Sequence, residues 1–114
     1  MVKNKVVAID FDGTITEQSP FPLMGNLRPN CKKAIEFIRS QNLVVIWTAR
    51  TGTYLQEAIL YLKSQGIAYD AINIDIKGGS QRKIEADVYI DDRSFPRAEI
   101  NWFEIEEWFK NTEL

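Results

Sequence analysis

Continuous apolar runs and helical stripes alternate along this chain. Val6-Val7-Ala8-Ile9 has no polar interruption, the pattern of a strand buried on both faces, and predicts a strand over about Lys5 to Asp10. Leu43-Val44-Val45-Ile46-Trp47 predicts a second, and shorter runs predict a third over about Ala71 to Ile74 and a fourth over about Asp87 to Ile90. Between them the apolar spacing is helical. Cys31, Ala34, Ile35 and Ile38 mark a helix that Pro29 opens and that ends near Gln41. Leu55, Ala58, Ile59 and Leu62 mark one that starts near Thr53 and stops at Gly66. Trp102, Ile105, Trp108 and Phe109 mark a last helix from about Ala98 to Asn111. This alternation predicts a Rossmann-like three-layer α/β/α sandwich: a mainly parallel sheet of about four strands with helices on both faces.

Right-handed crossovers bring the C-terminal end of each strand to one edge, where open α/β sheets bind ligands. That edge gathers Asp10, Asp12, Thr48, Asp91 and Asp92. Alternation along an extended chain turns Asp10 and Asp12 to one side and Phe11 to the other, and Gly13 lets the backbone bend sharply. Two carboxylates this close repel by about 4 kcal/mol at surface-like dielectric, so the site calls for a positive partner. Four carboxylates in a cleft of oxygen ligands favour Mg²⁺ over Zn²⁺. With Mg²⁺ in place, one aspartate is free to act as nucleophile and another as proton donor, while a hydroxyl (Thr48) and an ammonium (Lys83 or Lys77) complete a pocket for phosphoryl oxygens.

Composition narrows the field. The 114 residues fit one domain, and 45% hydrophobic with 26% charged residues is an ordinary globular balance. A net charge of −2 with no basic stripe disfavours nonspecific nucleic-acid or anionic-membrane binding. No apolar stretch has the length of a membrane span, and the first residues show no signal-peptide core. A single cysteine, Cys31, excludes an intramolecular disulfide and suits a cytoplasmic location. Its place on a helix's apolar face reads as packing rather than nucleophilic chemistry. Histidine is absent, which removes Ser-His-Asp and Cys-His triads and histidine-based zinc sites.

Four stretches in order resemble the motifs of the haloacid dehalogenase-like (HAD) hydrolase superfamily. Val6-Val7-Ala8-Ile9-Asp10-Phe11-Asp12-Gly13-Thr14 matches the first motif, an apolar strand followed by Asp-x-Asp-Gly-Thr. Val44-Val45-Ile46-Trp47-Thr48 matches the second, Lys83 the third, and Val88-Tyr89-Ile90-Asp91-Asp92 the fourth. The resemblance implies a Mg²⁺-dependent phosphatase acting on phosphomonoesters. Asp10 is then the nucleophile that becomes an aspartyl phosphate, and Asp12 protonates the leaving group and activates water. Thr48 holds a phosphoryl oxygen and Lys83 neutralises charge. The metal takes the Asp10 carboxylate, the Asp12 backbone carbonyl and the acidic pair, with either Asp91 or Asp92 in direct contact.

Two features depart from larger relatives. Lys83 lies only eight residues before Asp91, as in compact nucleotidase-like members, and Lys77 stays in reserve. Neither interval between motifs has room for a cap domain, so the resemblance is to a capless, minimal member. An open cleft of that kind goes in the family with a phosphorylated macromolecule end as substrate, or with a homo-oligomer whose neighbour supplies a lid; a phosphorylated small molecule also remains open. The stretch from Ser19 to Pro29, with three prolines and Phe21, Leu23 and Met24, either folds over substrate or is pinned to the body. Arg50 and Arg93 beside the motifs either contact substrate or, more simply, are ordinary surface or ion-pair groups; Lys77-Gly78-Gly79-Ser80 reads as a connection, and Trp102 and Trp108 as packing rather than a dimer patch. Asp12 separates the chain from dehalogenases, and the missing cap lysine from phosphonate hydrolases. A receiver-like phospho-signalling module has its acidic pair after the first strand, the wrong order here. A non-catalytic binding module on the same fold is the remaining alternative.

Overall fold

The computed structural model describes residues 3–74, 84–93 and 99–114. Lys83 and Lys77, the two candidates for the phosphate-neutralising lysine, lie outside the described residues. The four expected strands form: β1 Val6–Asp10, β2 Leu43–Trp47, β3 Ala71–Ile72 and β4 Val88–Ile90. They make one sheet in the order β3-β2-β1-β4, with every pair parallel. The helices are α1 Cys31–Gln41, α2 Gly52–Ser64 and α3 Trp102–Lys110.

β1 is central because its side chains are apolar on both faces. Val6, Val7, Ala8 and Ile9 are all at most 3% exposed, which only an inner strand permits. The faces divide by parity. Val7 and Ile9 join Val44, Ile46 and the buried residues of α1, α2 and α3 in the larger core. Val6, Ala8 and Val45 join Ile84 in a smaller one, flanked by Leu43, Ala71 and Ala86. Among the described residues all three helices therefore serve one face, and the opposite face is covered by the segment around Ile84.

Register sets the site. Asp10 pairs with Trp47 and Ile9 with Ile90. Thr48 thus lies one residue beyond Asp10 on one neighbouring strand, and Asp91 is level with Asp10 on the other.

Several boundaries are tighter than the periodicity predicts, each for a local reason. β3 stops at Ile72 because Asn73 takes a left-handed conformation (φ 55°) and gives its side chain to the Thr48 N–H. α1 starts at Cys31 rather than Pro29 because Asn30 is also left-handed, at φ 64°. α3 begins at Trp102, not near Ala98, because the Asn101 carboxamide oxygen caps it, accepting from the Phe103 and Glu104 N–H groups at 3.0 and 3.2 Å. On α3 the expected apolar face also shifts. Trp102 and Phe109 are buried, but Trp108 is 47% exposed and Glu106 takes a buried place, held by Asn30 at 2.8 Å and Lys110 at 3.1 Å. No helix among the described residues is long and apolar enough to cross a membrane.

Candidate active site

Asp10 ends β1 and Phe11 drops into the larger core, fully buried. Asp12 is extended, and Gly13 then turns the chain at φ +81°. That angle favours glycine, and a Cβ would also press on the far ends of two side chains. A Cβ would sit 2.4 Å from Gln18 Nε2 and 2.5 Å from Asp92 Oδ2. The chain doubles back through Thr16, which bridges to Leu27, and Glu17 N–H donates to the Asn26 carbonyl at 2.8 Å.

The bend is held from three sides. Arg28 donates to the Gly13 carbonyl through Nη2 at 2.8 Å and Nε at 3.2 Å. Trp102 of α3 donates its indole N–H to the Thr14 carbonyl at 2.8 Å. The buried Thr14 hydroxyl accepts from the Asp92 N–H at 3.1 Å and faces Asp10 Oδ2 at 3.3 Å and Asp92 Oδ1 at 3.4 Å. Thr14 thereby ties the end of β1 to the end of β4.

The result is an acidic cluster. Asp10, Asp91 and Asp92 each offer a carboxylate oxygen, all within 4.8 Å of one another. Asp92 is 6% exposed and also accepts from the Gln18 carboxamide, while Asp91 is half-buried and accepts from the Arg93 N–H at 2.9 Å. The electrostatic consequence falls on Asp10. Burial first, then the charges of Asp91 and Asp92, push its carboxyl up from 3.8 to about 7, against the pull of the Phe11 N–H and the Thr14 hydroxyl. A cation among these oxygens relieves that strain, and three carboxylates without nitrogen or sulfur ligands suit a hard ion such as Mg²⁺.

Asp12 is not part of the cluster. Its carboxylate is gripped by Arg50, Nε to Oδ2 and Nη2 to Oδ1, both at 2.8 Å. Thr48 is nearly buried, and its hydroxyl accepts from the Arg50 N–H at 3.1 Å. Among the described residues its own proton has no acceptor, and it can be donated to an oxygen entering the site. The structure thus brings Asp10, Asp91 and Asp92 together, places Thr48 just past the end of the neighbouring β2, and directs the Asp12 side chain to Arg50. Sequence reading favoured an ordinary surface or ion-pair group for Arg50 and passed over Gln18, Arg28 and Asn73. For Arg50 a signal existed, since Asp12 called for a counter-charge. For the others nothing local marks the role.

The proline-rich stretch is pinned to the body at some residues and exposed at others. Met24 and Leu27 pack against the core, whereas Phe21 and Leu23 are 63% and 65% exposed. Phe21 meets Tyr54 of α2 edge-on, with ring centres 5.0 Å apart.

No family model matches the chain, and no curated protein does. Among solved structures, that of a conserved protein coded by a locus of Bacteroides thetaiotaomicron is similar with a TM-score of 0.83 and 31% identity, over 96% of this chain and 93% of that one.

Proposed function

We propose that this chain, which belongs to one family with the conserved Bacteroides thetaiotaomicron protein, is a Mg²⁺-dependent phosphomonoesterase of the HAD-like type that works through an aspartyl phosphate. The observation that carries this reading is the convergence of Asp10, Asp91 and Asp92 within 4.8 Å at the ends of β1 and β4, with Thr48 just past the end of the neighbouring β2. Asp10, Asp91 and Asp92 would hold the ion through carboxylate oxygens, and the resemblance adds the Asp12 backbone carbonyl. When bound, the ion neutralises the carboxylates and the phosphoryl oxygens so that like charges can meet.

The chain's own groups then have distinct tasks. An Asp10 carboxylate oxygen forms a bond to phosphorus as the bond from phosphorus to the ester oxygen breaks. Asp12, protonated from solvent once the negative phosphoryl group is bound beside it, gives that proton to the departing oxygen, which leaves as the alcohol. In the second half Asp12 takes a proton from water, the water oxygen bonds to phosphorus, and the Asp10–phosphorus link breaks to return the carboxylate and free phosphate. The Thr48 hydroxyl steadies a phosphoryl oxygen throughout. Lys83 fills the remaining cationic role by resemblance.

Hydrolysis of p-nitrophenyl phosphate with Mg²⁺ or with EDTA, for wild type and Asp10→Asn, tests this. Turnover that survives EDTA or the substitution sinks the reading. Metal-dependent labelling by an acyl phosphate without turnover points instead to a receiver-like module.

A further inference from the structure

We propose that Arg50 is a positioning residue: it aims the Asp12 carboxylate and couples it to the loop segment around Pro22. This rests on the phosphomonoesterase reading, in which Asp12 is the acid/base. Two parallel bonds of 2.8 Å to both carboxylate oxygens fix the rotation of Asp12, which a single contact does not do. The same Nη2 reaches the carbonyls of Pro22 at 3.3 Å and Leu23 at 3.4 Å. The guanidinium carbon also lies 5.2 Å from the centre of the Phe21 ring and 5.8 Å from that of Phe11. One planar group therefore touches the acid/base, the residue between the two aspartates, and the loop.

The exposure is lopsided in a way a structural ion pair does not need. The Arg50 side chain is 1% exposed and that of Asp12 is 43% exposed. The cation is built into the body while the carboxylate it directs stays open to a ligand. Among the described residues Arg50 Nη1 is buried without a hydrogen-bond partner. The Arg50 backbone N–H on the Thr48 hydroxyl adds a link to the phosphoryl-binding side.

The test uses leaving groups. For wild type, Arg50→Gln and Arg50→Lys, kcat/KM is measured with Mg²⁺ on p-nitrophenyl phosphate, whose leaving group departs without a proton, and on an alkyl monophosphate, whose leaving group needs one. Thermal melts check folding. Expected is a loss on the alkyl substrate larger by about 10- to 100-fold than on the aryl one, within the range a general acid contributes. In an Asp12→Asn background Arg50→Lys then adds no further selective loss. Arg50→Lys keeps the charge without the fork and carries the test if Arg50→Gln does not fold. Phe21→Ala removes an exposed ring and is expected to give a smaller loss of the same selectivity. Equal losses on both substrates in a folded variant, or no loss, overturn the positioning role; an unchanged Phe21→Ala overturns the coupling to the loop. A wild type inactive on both substrates overturns the phosphomonoesterase reading itself, and the proposal with it.

Discussion

The indole N–H of Trp102 donates to the carbonyl of Thr14 at 2.8 Å, joining the first turn of the last helix to the bend that follows Asp10. Trp102 is 1% exposed, so the bond lies in the core and water cannot replace it. Trp102→Phe keeps most of the packing, removes the donor and leaves the Thr14 carbonyl unpaired. The expected cost is about 2–4 kcal/mol, combining the orphaned acceptor with the lost volume. A fall in the urea midpoint at unchanged slope checks it. Because the Thr14 hydroxyl faces Asp10 and Asp92, weaker Mg²⁺ binding should accompany the loss of stability.

Gly13→Ala should damage the site more than the fold. At φ +81° an alanine is strained by about 1–2 kcal/mol, and its Cβ collides with Gln18 and Asp92 at 2.4 and 2.5 Å. Asp92 has to move to make room, and it belongs to the acidic cluster. Calorimetric titration with Mg²⁺ should show affinity lowered by about tenfold or more, equivalent to 1.4 kcal/mol or above. Gln18→Ala in the same chain should recover only part of it, since the Asp92 contact remains.

The acidic cluster gives the metal-free chain a pH dependence of definite sign. Asp10 titrates at 3.8 when unperturbed and at about 7 in the folded chain, so between those values the folded state holds the extra proton. Stability therefore falls as pH rises from about 4 to about 7 and levels off above. Mg²⁺ competes with that proton, so its stabilising effect should be larger at pH 8 than at pH 5. Asp10→Asn cannot ionise; it should melt higher than wild type at pH 8 without metal and respond less to Mg²⁺. Melting curves at three pH values with EDTA and with Mg²⁺ check all of this.

Much of the sheet was legible because β1, β2 and β4 are short apolar runs with nothing else they could form, and Asp10, Asp91 and Asp92 follow from where those runs end. The limits of β3 and α3 were not legible. Asn73 and Asn101 stop and start them through side-chain bonds to backbone N–H groups, and periodicity carries no trace of those bonds. The parallel sheet flanked by helices followed from the same alternation of strands and helices along the chain. Arg50 is the instructive case. Its partner lies 38 residues away and becomes adjacent only through the pairing of β1 with β2, so proximity to Thr48 in sequence understated its place.

Asp91 and Asp92 look alike in sequence, yet their surroundings predict opposite effects on the metal-free fold. Asp92 is buried, accepts from Gln18 and is linked to Thr14 through both its side chain and its N–H. Asp91 is half-buried and accepts from the neighbouring Arg93 N–H, a local turn bond. Both charges push the Asp10 carboxyl upward. Asp92→Ala removes one source of that repulsion but strands Gln18 and loosens Thr14, for an expected net loss of about 1–3 kcal/mol. Among the described residues Asp91→Ala removes repulsion and one local turn bond, so the metal-free protein should melt at or above the wild-type temperature. Both variants should bind Mg²⁺ more weakly, because each deletes an oxygen of the same cluster. Melts in EDTA paired with Mg²⁺ titrations separate the two: equal destabilisation by both would show that Asp91 is also a structural support, and unchanged Mg²⁺ affinity in either would remove that carboxylate from the metal site.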